Sequence, residues 1–172
     1  MSRTSPVVVL IGPPGSGKTT VGAAVADLLG VDCHDTDAAV EHAQQRTISD
    51  IFVEDGEPVF RSLEREEVAR ALTEETGVLA LGGGAPMDPQ TQAVLAGHTV
   101  VFLDVAIADA SKRIGFDQSR PLLSVNPRAS WTKLMNDRRP TYTRLATHVV
   151  DTAGRTPRDI AADIVALLEA AP

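Results

Sequence analysis

The stretch Gly12 to Thr19, GPPGSGKT, sets a lysine and a threonine hydroxyl behind three glycines. It fits the pattern GxxxxGK[ST], in which successive backbone N–H groups turn toward phosphate oxygens and a lysine adds a point charge. Lys18 would reach the β and γ phosphates, the Thr19 hydroxyl would ligate Mg²⁺, and the amides of Gly15, Gly17 and Lys18 would lie at the positive end of a helix. The nucleotide site is taken to run from Gly15 through Ser16, Gly17, Lys18 and Thr19 to Thr20. Further on, HDTD places Asp35 and Asp37 two residues apart, which in extended chain points both carboxylates one way. Taken alone such a pair is a solvated turn with an N-capping aspartate. Beside a phosphate loop, Asp35 could hold Mg²⁺ through its water and Asp37 could accept the proton of an attacking hydroxyl.

Other polar residues fall into sets. Arg61 and Glu64 share one helix face at a spacing of three. They are either a surface ion pair contributing about 0.2 to 0.5 kcal/mol, or an arginine oriented so that its fork meets a substrate carboxylate. Gly82, Gly83 and Gly84 close an apolar run; three glycines in a row forgo packing where backbone must come close to something, here a small polar substrate. Arg120, before Pro121, would act on transferring phosphoryl oxygens when a loop shuts over them. Arg138 and Arg139 end a helical pattern, where two cations satisfy the helix dipole in any case. Arg113 and Arg155 could pack against a base or lie on the surface. Trp131 reads as packing, and the four histidines show no metal-ligand spacing.

Positioning these residues falls to an alternation of apolar runs and helical patterns. Val7 to Ile11, Val31 to Cys33, Val78 to Leu81, Thr99 to Leu103 and His148 to Val150 read as strands, and Thr20 to Leu29 as the helix that follows the phosphate loop. That order means an α/β fold: a parallel sheet with helices on both faces. Thr47 to Asp50 resembles a capping box, and Thr156-Pro157-Arg158-Asp159 opens a last helix whose Ile160, Ile164, Leu167 and Leu168 face the core. Two regions break the alternation. Asp50 to Glu75 holds two helical patterns split near Gly56, a helical insertion over one edge of the site. Ile114 to Pro127 has no sustained period, as expected of a mobile lid.

At 172 residues the chain is expected to form one domain, with its sites built from insertions. A net charge of −7 without a Lys/Arg run argues against nucleic acid as the main partner. Cys33, the one cysteine, excludes an internal disulfide and reads as a small buried hydrophobe. No apolar run approaches a membrane span of roughly 18 residues, and Met1 to Pro6 is too short for a signal peptide. A cytoplasmic protein is expected, and a monomer is the simplest expectation.

Taken in order, GPPGSGKT, DTD, FRSLE, GGG, RPLL and RxPxY resemble the shikimate kinase family from Val7 to about Leu168, and the wording is most like its actinobacterial members. The resemblance implies a P-loop α/β/α sandwich over residues 1–172 with five parallel strands, a substrate-binding region near 35–64 and a lid near 114–127. It also implies transfer of the γ-phosphoryl of ATP to the 3-hydroxyl of shikimate, in the pathway to aromatic amino acids. Position by position, Asp37 would bind ring hydroxyls and serve as base. Arg61 and Arg138 would clamp the carboxylate, Gly82 to Gly84 would line the substrate, and Glu64 would brace Arg61. Lys18 and Arg120 would stabilise phosphoryl charge, Thr19 and Asp35 would serve Mg²⁺, and Arg113, Arg155 and Pro157 would line the adenine pocket. Arg138 rather than Arg139 is chosen because it has the RxPxY spacing.

Other readings stay open at this level. A gluconate or nucleoside monophosphate kinase of the same fold would share the loop but not need Arg61 and Glu64 beside GGG. A regulatory nucleotide switch would want an [NT]KxD motif, which the sequence lacks. A binding scaffold would tolerate loss of Lys18.

Overall fold

In β1, Val8–Ile11, all four residues are buried, because the strand lies in the middle of a sheet covered on both faces. The computed structural model describes residues 5–105 and 127–171. Of the lid expected at 114–127, Pro127 alone falls within them; Arg113 and Arg120 lie outside the described residues.

After β1 come α1 (Lys18–Leu29), β2 (Cys33–Asp35), α2 (Thr36–Gln44), α3 (Ile48–Glu54), α4 (Glu57–Glu74) and β3 (Val78–Ala80). A 3₁₀ turn at Ala85–Met87 leads to α5 (Pro89–Leu95) and β4 (Val100–Asp104), and the chain ends in α6 (Pro127–Leu145), β5 (His148–Asp151) and α7 (Pro157–Ala170). The five strands pair in the order β2-β3-β1-β4-β5, every pair parallel.

Alternation along β1 divides the core in two. Val9 and Ile11 face one layer, where Leu79, Leu81 and Phe102 meet Val68 and Leu72 of α4 and Trp131, Met135 and Tyr142 of α6. Val8 and Leu10 face the other, built from Val21 and Val25 of α1 with Ile160 and Ile164 of α7. The insertion has its own small core of Val40, Ile51 and Phe60, in which the Phe52 and Phe60 rings lie 5.2 Å apart.

Local signals explain where the helices start. Asp35, Thr47 and Thr156 each accept a bond from the backbone N–H three residues on, as N-caps do. Gly56, at φ 90°, divides α3 from α4 at the expected place. No helix among the described residues is long and apolar enough to cross a membrane.

Two expectations need correction at β2. This strand begins at Cys33 rather than Val31, so Asp35 is its last residue and Asp37 stands in the first turn of α2, not on extended chain. The pairing register sets the shift, since Cys33 is aligned with Val78 and Asp35 with Ala80. Cys33 is exposed, not buried, because β2 is an edge strand. That edge is tied to α4 by His34 Nε2 and Glu67 Oε1, 2.7 Å apart.

Candidate active site

The phosphate loop joins the C-terminal end of β1 to the N-terminus of α1, where a parallel sheet opens to ligands. Gly15 and Gly17 have φ of 81° and 88°, a conformation that side chains disfavour, and Gly17 caps α1 without any side-chain bond. The first amides of a 12-residue helix therefore face the loop, which suits an anion. Lys18 folds back over the loop, with Nζ 2.8 Å from the Gly12 carbonyl and 3.1 Å from that of Pro13. Ser16 is fully buried beneath it.

Thr19 and Asp35 are brought together, as expected. The Thr19 hydroxyl donates to Asp35 Oδ2 at 2.8 Å, while Oδ1 of the same carboxylate accepts from Ala38 N at 3.0 Å. Among the described residues no group of three His, Cys, Asp or Glu side chains could hold a metal. One hydroxyl and one carboxylate beside a phosphate loop fit Mg²⁺, which keeps several waters and takes phosphate oxygens as ligands.

Asp37, Arg61 and Arg138 converge on the three glycines, and Glu64 lies against Arg61. A Cβ on Gly82 would collide with the Asp37 carboxylate and one on Gly84 with the Arg61 guanidinium. On Gly83 it would come within 3.3 Å of the Pro14 ring and 3.5 Å of Arg138 Nη1. None of the three has positive φ. Their lack of side chains makes room for other residues rather than permitting a turn. The Gly82 N–H donates to the buried Thr36 hydroxyl at 3.1 Å, and the Gly83 carbonyl accepts from the Tyr142 hydroxyl at 2.6 Å.

The Arg61 guanidinium lies over the Phe60 ring, 5.3 Å from its centre, and donates Nη1 to Glu64 Oε1 at 2.9 Å and Nε to Glu57 Oε1 at 3.3 Å. Glu64 is 3 % exposed. Burial pushes its carboxyl up to about 7, against the pull of Arg61; Asp37 pushes the same way as burial and Arg138 opposes it. The geometry also separates the neighbouring arginines. Arg139 Nη1 is tied to Asp104 at 2.5 Å, leaving Arg138 on the glycine side.

The adenine side is less assembled. Pro157 and Thr20 line one groove of about 260 Å³ between α1 and α7. Arg155 lines another with Val149 and Asp151, its guanidinium held by Asp163 at 2.5 Å. Sequence reading missed three contacts: Tyr142 on Gly83, Asp104 on Arg139, and Trp131, which is buried as expected but donates its indole N–H to the Pro14 carbonyl at 2.8 Å. RxPxY contains Tyr142, a usable signal. All three join residues distant in sequence, and for the other two no motif marks the partner.

A five-stranded parallel sheet with this loop after its first strand, and with an acid and two arginines gathered at the glycine turn beside it, defines a P-loop kinase of small molecules. The profile described as "Shikimate kinase" matches residues 14–169. A shikimate kinase of Salinispora arenicola is 56% identical over 166 residues, covering 96% of this chain and 99% of that protein. One of Thermobifida fusca is 57% identical over 161 residues, 94% of this chain and 93% of that protein. Among solved structures, shikimate kinase from Acinetobacter baumannii in complex with shikimate superimposes with a TM-score of 0.91 at 34% identity, over 96% of this chain and 93% of that one. The chain belongs to the shikimate kinase family and is an ATP-dependent phosphotransferase acting on an alcohol.

Proposed function

We propose that Lys18, Asp37 and Arg120 carry out transfer of the γ-phosphoryl of ATP to the 3-hydroxyl of shikimate, giving shikimate 3-phosphate and ADP for aromatic amino acid biosynthesis. The hydroxyl oxygen bonds to the γ-phosphorus as the bond to the bridging β–γ oxygen breaks, and Asp37 takes the hydroxyl proton. Lys18 neutralises charge on the β and γ phosphates from the loop, and Arg120 does so from the lid. Gly15, Ser16, Gly17, Thr19 and Thr20 bind phosphate, while Arg113, Arg155 and Pro157 hold the adenine. Thr19 and, through water, Asp35 would hold Mg²⁺, which would supply charge neutralisation at the phosphates.

Arg61 and Arg138 clamp the shikimate carboxylate, Glu64 braces Arg61, and Gly82 to Gly84 admit the ring close to the backbone. The observation that carries this reading is the convergence of Asp37, Arg61 and Arg138 on three glycines whose Cβ positions they occupy or adjoin. It supplies two cations for one carboxylate and one acid for one hydroxyl. Residues 1–172 act as one domain, a monomer in the cytoplasm, with residues 35–64 receiving shikimate and 114–127 forming the lid.

The test is ADP release with Mg-ATP and a panel of shikimate, quinate, gluconate and nucleoside monophosphates. Turnover with shikimate is expected, and Arg61→Ala should weaken shikimate use about tenfold to a hundredfold, since a charged hydrogen bond contributes roughly 1.5 to 3 kcal/mol. Preference for another acceptor, or an Arg61→Ala enzyme with unchanged shikimate dependence, would remove the carboxylate clamp.

A further inference from the structure

Trp131 is 3 % exposed in α6 and packs with Met135 and Tyr142 against the sheet. Packing uses the ring faces. Its N–H must also find an acceptor when buried, and the acceptor is the Pro14 carbonyl, 117 positions away inside the phosphate loop, at 2.8 Å. The chain has no cis peptide among its described residues, so the Pro14–Gly15 unit is planar and trans. In such a unit the carbonyl and the following N–H point in opposite directions. Holding the Pro14 carbonyl toward α6 therefore turns the Gly15 N–H away from α6, at the residue where the loop reverses with φ 81°.

We propose that Trp131 is a positioning residue for the nucleotide: its indole N–H fixes the Pro14–Gly15 peptide and thereby aims the Gly15 amide at phosphate. The inference rests on the phosphate-binding reading of the loop and extends it to a helix that otherwise serves the acceptor. The same helix carries Arg138 and Tyr142, and the Pro14 ring abuts Gly83, whose carbonyl Tyr142 holds. Loop, helix and glycine turn form a closed ring of contacts. Only the indole bond in that ring bears on a nucleotide-binding amide.

Trp131→Phe keeps an aromatic ring and removes the donor. By calorimetry its dissociation constant for MgADP should rise about fivefold, the size expected for one neutral hydrogen bond, while that for shikimate stays within about twofold. An unchanged MgADP affinity, or equal weakening of both ligands, would overturn the proposal and leave Trp131 a packing residue. Because the chain has one tryptophan, the unsubstituted protein shows one indole N–H signal by nuclear magnetic resonance. That signal should move at saturating MgADP, and one that stays still refutes the link even if the variant does not fold. A wild-type chain that binds MgADP yet phosphorylates no shikimate would overturn the reaction proposed above while leaving the indole titration readable.

Discussion

Space at Gly82 and Gly84 is taken by the Asp37 carboxylate and the Arg61 guanidinium, both arriving from other elements. An alanine at 84 meets the end of a flexible side chain, which can swing aside. Gly84→Ala should therefore fold, with a melting temperature close to the parent's, yet lose about tenfold or more in kcat/KM for shikimate as the Arg61 guanidinium is displaced. Its KM for ATP should hold. A variant that keeps its shikimate kinetics would show that Arg61 acts from another position. The close approach at this turn was legible in the sequence, since three glycines after a strand mark it. What approaches them was not, because Asp37, Arg61 and Arg138 come from three separate helices whose packing no local pattern encodes.

At the scale of elements, α6 has the widest reach. It donates from Trp131 to the phosphate loop, from Arg139 to Asp104 at the end of β4, and from Tyr142 to the glycine turn. Pro140 sits within it, between Arg139 and Tyr142. Tyr142 is fully buried, and burial pushes its phenol up, so it stays a donor at neutral pH. Tyr142→Phe leaves the Gly83 carbonyl without that donor and should cost about 1 to 2 kcal/mol by denaturant titration. A change within a few tenths would mean that the carbonyl finds another donor. The caps at Thr47 and Thr156 and the break at Gly56 followed from sequence because Thr and Gly act locally on the neighbouring backbone. The β2 boundary and the exposure of Cys33 did not, because both follow from which strand lies at the sheet edge, and β3 rather than β2 is the neighbour of β1.

For the whole molecule, Glu64 couples stability to pH. Its folded value near 7 lies above the ordinary 4.5, so the native state keeps a proton that the unfolded chain releases between those values. The associated stability is fully present below about 4.5 and is lost as pH rises through 7, an effect on the order of 3 kcal/mol. The parent's resistance to thermal unfolding should accordingly fall between about pH 5 and 8, and Glu64→Gln should flatten that slope. Parallel slopes for the two proteins would assign the effect to other groups. The arrangement places a functional requirement against a folding one: an ionised, buried Glu64 holds Arg61 in place and costs stability at the pH where it is ionised.

The glycine turn carries a consequence for tolerance to mutation. A position that must be filled accepts several residues of similar volume, whereas one that must stay empty accepts one. In a library of all single substitutions sorted by protein abundance, position 84 should look permissive, since its intruder meets a movable guanidinium. Sorted by growth that depends on the reaction, the same position should rank among the least permissive in the chain. Selection for folding and selection for chemistry thus leave different marks on a single residue.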